Sequence, residues 1–297
     1  MLDMSSYAHE MGTQPDLWRR AIETAASHAE LLPAKGARVA VIGCGTSLYM
    51  AQAVAAYREA QHQGETDAFP ASEMPAGRPY DLVVAISRSG TTTEVLDAVK
   101  ALPPGASVLA VTTEEGNPLA QLTARRVLLP WAEERSVVQT RFATTALAVF
   151  LSHCGWDVAA SAERAEEFLK GPSPAHMEDV RQFVFLGRGV GAAIANEAAL
   201  KMREILATWA EAYPTREFRH GPISVLGPGS MVWVVDDKEP SIDAAIEKTG
   251  ACLVRGKGDP LAELVRAQKA AGELAELRDI NPDTPRFLAR SIVLEGV

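Results

Sequence analysis

Two stretches of this chain carry side chains whose types and spacing suit chemistry. In NEAALKMREILATWAEAY, residues Glu197, Lys201, Glu204 and Thr208 recur at helical spacing, so one helix face would present all four. Glu197 and Lys201 stand four apart, which is also the spacing of an ordinary solvated ion pair. The surrounding Ala195, Ala198, Ala199 and Ala207 suit close packing instead. A half-buried Glu there would have a raised pKa and could act as a general base. His220 follows in the loop EFRHGP, between structure-breaking residues, where it could move a proton or merely be exposed. The second stretch is SRSGTTT, Ser87 to Thr93. It brings five hydroxyls, Arg88 and a close-approach glycine, Gly90, to one turn. That set favours an anion, and a phosphate above all. The other reading is a turn whose Ser and Thr residues simply cap the next helix.

Both stretches need elements to position them. Leu82–Ile86 is an apolar run before the hydroxyl turn, and Glu94–Lys100 has a helix-like pattern after it. Strand, turn and helix N-terminus together aim backbone N–H groups at an anion. The same order recurs along the chain. Residues 1–14 form a polar arm, and Pro15 starts a helix. Arg38–Ile42 is a strand ending in Gly43-Cys44-Gly45-Thr46-Ser47, with a helix to about Gln63. Ala68–Met74 and Ser107–Thr113 read as strands, Arg126–Leu129 as an edge strand, and Thr140–His153 as a helix. Gly171-Pro172-Ser173-Pro174 reads as a linker. The pattern then restarts: strand Phe183–Leu186, turn Gly187–Gly191, and a helix to about Ala212. A strand at Met231–Val235, a helix at Ser241–Lys248, a strand at Ala251–Val254 and a helix at Pro260–Leu277 follow.

This alternation predicts an α/β chain of two doubly wound parallel-sheet domains, flavodoxin-like three-layer αβα units. The expected division is an arm and helix over 1–35, a first domain over 36–170 and a second over 175–297. Ligands of such sheets sit beyond the strand C-termini at the switch point, so the turns 43–47 and 87–93 should face one crevice. The second half has Asp236-Asp237 where a second hydroxyl turn would stand, which predicts one phosphate site per chain.

Several function classes are disfavoured. The chain has 297 residues, 47% of them apolar, and a net charge of −9. It has no clustered basic face for nucleic acid and no apolar run of about 20 residues to span a membrane. Its N-terminus lacks the pattern of a secretory signal. Cys44, Cys154 and Cys252 are scattered without metal-ligand spacing and suit a reducing cytoplasm. No metal or cofactor is expected. Gly187-Arg188-Gly189 with Ala192 satisfies a dinucleotide fingerprint, but the acidic residue expected at the end of the next strand is missing.

Taken together, GCGTS, SRSGTTT, LGRG, EAALKMREI, EFRHGP and the closing PRFLARSIVLE resemble the tandem sugar-isomerase (SIS) domain proteins. The nearest resemblance is to the isomerase half of glucosamine-6-phosphate synthase. Free-standing amino-sugar-phosphate deaminases and fructosamine-phosphate deglycases belong to the same group. The resemblance implies that Thr46, Ser47, Ser87, Arg88, Ser89 and Thr92 hold a sugar phosphate. It implies that Val137 and Gln139 line the sugar. Glu204 would move a proton between C1 and C2, with Lys201 beside it. His220 would open the sugar ring from a partner subunit, which implies a homodimer. The sequence departs from the family twice. No glutaminase domain precedes the first sheet, so ammonia release from glutamine is not expected. Arg290 stands where the family has an imine-forming Lys, and a guanidinium is no such nucleophile. The expectation is an enzyme on an amine-bearing sugar 6-phosphate, a deaminase or a deglycase. The alternatives are a simple aldose–ketose isomerase and a non-catalytic sugar-phosphate sensor.

Overall fold

A computed structural model describes residues 5–75, 77–236 and 240–294; Asp237 lies outside the described residues. The first part runs α1 (Ser6–Gly12), α2 (Gln14–Ser27), β1 (Val39–Gly43), α3 (Thr46–Ala60), β2 (Thr66–Pro70) and β3 (Leu82–Ile86). It continues through α4 (Thr93–Lys100), β4 (Val108–Thr112), α5 (Pro118–Gln121), β5 (Arg125–Leu128) and α6 (Arg141–His153). The second part runs α7 (Val158–Lys170), β6 (Gln182–Gly187), α8 (Val190–Leu206), β7 (Trp209–Pro214) and β8 (Ser230–Val234). It ends with α9 (Pro240–Glu247), β9 (Cys252–Arg255) and α10 (Pro260–Leu277).

The fold class is as expected, two parallel sheets in an α/β chain. The first sheet has the order β2-β1-β3-β4-β5, the flavodoxin-like order. The second repeats it with one strand fewer, β7-β6-β8-β9. Every residue of β1, β3 and β4 is buried, which is why these strands read as unbroken apolar runs and not as alternation. Parallel pairing sets Ile42 beside Ala85 and Ile86 beside Val111, so the turns leaving β1 and β3 emerge side by side. That is the switch point of the sheet, where chain connections diverge and leave a crevice.

Several elements differ from expectation, among them the strand expected at Ala68–Met74, which is β2 followed by a 3-10 turn, Ala71–Glu73. The helix predicted to reach about Ala212 stops at Leu206, where Ala207 takes a left-handed conformation (φ 48°) and its N–H bonds Arg203 O. WAEAYP is the edge strand β7, paired to β6 from Gln182↔Trp209 to Gly187↔Pro214. Thr208 therefore leaves the helical face that carries Glu197, Lys201 and Glu204. The arm contains a helix, α1, capped by Ser5, whose hydroxyl accepts Ala8 N–H. The segment before the expected linker is α7.

The described chain divides into two compact units, but not at 171–174. One comprises 16–159 and 289–294, and the other 5–15 and 160–288. Side-chain bonds explain the departure. Lys269 of α10 donates to Phe168 O and Gly171 O, and Ser161 donates to Asp259 at 2.6 Å, so α7 belongs with the second sheet. Tyr7 Oη donates to Gln268 O at 2.8 Å, and Asp283 accepts the N–H groups of Ser6 and Tyr7 at 2.8 Å, so α1 belongs there too. The closing segment joins the first sheet: Thr93 N–H donates to Ile292 O and Leu294 N–H to the Thr93 hydroxyl. Among the described residues no helix is long and apolar enough to cross a membrane.

Candidate functional site

In the unit of the first sheet, the two adjacent turns build a pocket. Ser47, Ser87, Arg88, Ser89, Thr92, Gln139 and Arg290 line it, with Cys44, Ile86 and Val95. The turn after β1 depends on Gly45, whose φ of 54° and ψ of −125° no side chain tolerates well. Neither α3 nor α4 has a side-chain cap at its N-terminus, although Thr92 holds the N-cap position of α4. So the hydroxyls do not serve as caps. They bond one another: Ser87 Oγ lies 3.4 Å from Thr92 Oγ1, and Thr91 Oγ1 donates to Ser89 Oγ at 3.0 Å. Ser291 joins them, 3.1 Å from Ser89 Oγ and 2.7 Å from Thr91 Oγ1. Rotatable hydroxyls over an uncapped helix N-terminus are donors for an anion.

Gly90 makes the turn possible. Its φ is 62°, and a Cβ there would lie 2.1 Å from Asn117 Oδ1. Asn117 cannot withdraw cheaply, because its side chain caps α5 through Ala120 N–H and donates to the Thr112 hydroxyl at 2.7 Å. Gly90→Ala is therefore expected to cost about 2 kcal/mol or more of stability and to weaken phosphate binding. Thermal unfolding with and without inorganic phosphate checks this; unchanged stabilisation by phosphate would refute it.

Arg88 lines the pocket, but both of its terminal nitrogens are engaged elsewhere. Nη1 donates to Glu134 Oε2 at 3.3 Å and to Ser136 O at 3.0 Å, and Nη2 to Arg290 O at 2.8 Å. Arg290 also lines the pocket, and its guanidinium pairs with the Glu133 carboxylate. Gln139 presents a buried Oε1 that has no hydrogen-bond partner among the described residues, an acceptor suited to a hydroxyl or amine. Burial first, and the Glu94 charge second, push the Cys44 thiol up, so it stays protonated and weakly reactive. Thr46 is buried in the first turn of α3 and Val137 is half-buried, and neither lines this pocket. Glu133, Glu134 and Ser291 were not singled out from sequence. Only the closing PRFLARS motif pointed near one of them.

In the unit of the second sheet, α8 holds a row of charges. Lys201 is fully buried, 3.2 Å from Glu197 Oε1 and 2.5 Å from Glu204 Oε2. Burial by itself would lower the Lys201 pKa, but Glu197 and then Glu204 outweigh it and raise the value. The Glu197 side chain is 0% exposed and the Glu204 side chain 19%. This is no solvated face. It is a buried ammonium holding one sealed carboxylate and one that reaches solvent. His220 is exposed, at the end of a short 3-10 turn, Glu217–Arg219. The turn after β6 repeats the first one, with Gly189 at φ 53° and ψ −120°. Here a carboxylate fills the seat: Asp236 Oδ1 accepts Arg188 N–H at 3.3 Å, and a Cβ on Gly191 would lie 2.2 Å from its Cγ. Among the described residues no group of three or more His, Cys, Asp or Glu could hold a metal ion.

Comparison with known proteins matches the SIS domain to residues 30–152 and 176–249. Glutamine–fructose-6-phosphate aminotransferase (isomerizing) of Thermus thermophilus is 29% identical over 315 aligned residues, covering 87% of this chain and 52% of the relative. The chain thus spans about half the length of the curated relatives it matches first. The crystal structure of glucosamine-6-phosphate deaminase from Thermotoga maritima superposes with a TM-score of 0.85 at 26% identity, covering 98% of this chain and all (100%) of that one. Tagatose-6-phosphate ketose/aldose isomerase from Escherichia coli shares the fold, with a TM-score of 0.80 at 19% identity over 98% of this chain and 96% of that one.

Proposed function

The chain belongs to the SIS domain family, and on that premise we propose that it is a phosphosugar enzyme acting on an amine-bearing sugar 6-phosphate. The observation that carries the enzymatic reading is the α8 row. Glu204 is a carboxylate that reaches solvent while the buried Lys201 orients it, as a group that moves a proton must be. The hydroxyl turn supports a phosphate as the anchor, with Ser47, Ser87, Ser89 and Thr92 as its donors. Thr46 and Val137 contribute from beside them.

The chemistry follows from where the nitrogen already is. His220, supplied by the second copy in a homodimer, opens the sugar ring. Glu204 removes the C2 proton of the open 2-amino aldose and returns it to C1. This gives a ketimine at C2, and water adds there to release ammonia and the ketose 6-phosphate. For a 1-amino ketose the same transfer runs from C1 to C2, and water releases the amine from an aldimine. Neither route needs an enzyme lysine to form an imine. That accords with Arg290 at the position of the family's imine-forming Lys. Glucosamine 6-phosphate is the simplest substrate of this class, and a fructosamine 6-phosphate the next. The likeness to a structure named glucosamine-6-phosphate deaminase supports the first.

Purified protein offered a panel of amine-bearing and amine-free sugar 6-phosphates is expected to release ammonia or amine together with a sugar phosphate. Turnover of amine-free aldoses alone would make it a plain isomerase. Binding without any turnover would make it a sensor.

A further inference from the structure

Arg88 is the residue that phosphate binding explains least. Its side chain is 1% exposed and its partner Glu134 0%, so the charge pair is sealed from water. Both terminal nitrogens are taken by protein acceptors, which leaves only the buried Nε without a partner among the described residues. What the pair does have is reach. The guanidinium bonds the Glu134 carboxylate, Ser136 O and Arg290 O, the last at 2.8 Å. Glu134 in turn accepts the N–H groups of Thr140 at 3.0 Å and Phe142 at 2.7 Å, at the start of α6. The Arg88 carbonyl accepts from the Thr112 and Thr113 hydroxyls, each at 3.0 Å, which locks the residue to the end of β4. Three segments far apart in sequence meet on this pair: the hydroxyl turn, the loop that leads to Gln139, and the segment that carries Arg290.

We propose that Arg88 and Glu134 are positioning residues that fix Gln139 and Arg290 relative to the phosphate-binding hydroxyls. This rests on the sugar 6-phosphate reading above. The hydroxyls hold the phosphate whatever it is attached to. The pair sets how far from the phosphate Gln139 and Arg290 stand, and so which sugar they meet. A fork of nitrogens is needed to satisfy a carboxylate and two carbonyls together, which an ammonium on a flexible stem does not supply.

Two variants test this. Arg88→Lys keeps a cation against Glu134 but loses the fork. The double variant Arg88→Gln/Glu134→Gln removes both charges, so no buried charge is left unpaired. Calorimetry measures each for inorganic phosphate and for an acyclic hexitol 6-phosphate, which cannot turn over, with thermal unfolding run alongside. Inorganic phosphate affinity is expected to stay within about threefold of wild type, while hexitol phosphate affinity falls about tenfold or more, the worth of one or two charge-assisted hydrogen bonds. Equal losses for both ligands would show that Arg88 holds the phosphate itself and overturn the proposal. So would a folded variant that keeps the wild-type preference for the hexitol phosphate. A wild type that binds both ligands equally well sinks the sugar-phosphate reading, and the positioning role with it. Failure of the positioning role alone is thus told apart by a wild type that discriminates.

Discussion

Glu204→Gln is expected to lower kcat by about a hundredfold to ten-thousandfold, the range lost when a general acid–base is removed. KM should change little, because the amide keeps the shape and can still accept from Lys201. The geometry supports the size of this effect. Glu204 Oε2 lies 2.5 Å from the Lys201 ammonium while the side chain remains 19% exposed, so the carboxylate is both oriented and reachable. A loss confined to kcat marks an interaction made only in the transition state. A kcat within about tenfold of wild type would remove Glu204 from the proton-transfer role. The same variant tests the homodimer. If His220 acts across a subunit interface, mixing Glu204→Gln with His220→Ala protein regains activity that neither has alone.

Lys201→Met should destabilise the protein by about 3–5 kcal/mol, the cost of breaking a buried ion pair by removing one partner. Glu197, with no exposed side-chain surface, loses the ammonium 3.2 Å away. Thermal unfolding should fall by about 10 °C or more for a unit of this size. Lys201 has a raised pKa in the folded state, since its two carboxylates outweigh burial. Its contribution is therefore complete below the unfolded lysine value of about 10.4 and is lost as pH rises through the higher folded value. The gap between wild type and variant should hold from pH 7 to about 10.4 and close above it, where the unfolded chain loses the proton before the folded protein does. A gap that shrinks between pH 7 and 9 would show that the ammonium is not the stabilising species.

Much of this arrangement was legible in the sequence, and the exceptions have physical causes. β1, β3 and β4 announce themselves because a buried parallel strand is an unbroken apolar run. The hydroxyl turn and the α8 row lie within short windows, where spacing carries information. β7 was hidden because WAEAYP continues an Ala- and Glu-rich helix in composition. Only the left-handed Ala207 ends that helix, and no Gly or Asn marks the place. Ser291, Glu133 and Glu134 were illegible for another reason. Ser291 reaches Ser89 across 202 positions and Glu134 reaches Arg88 across 46, and spacing rules see a few turns at most. Arg88 was read for its charge. In the fold that charge is paired with Glu134, which spacing could not foretell.

The closing segment has a consequence for how the protein is made. Each unit is assembled from two separate stretches, so no single cut in the gene yields either one whole. The ribosome emits β1 to β5 early, and those strands can pair while the second sheet is still being synthesised. Ser89 must then wait 202 residues for Ser291, on the order of 10–40 s at ordinary elongation rates. Through that interval the sheet stands with its hydroxyl turn unclosed. A nascent chain released before Ala289 would carry the strands of the first unit without the segment that finishes its pocket. The pocket is thus completed long after the strands that house it.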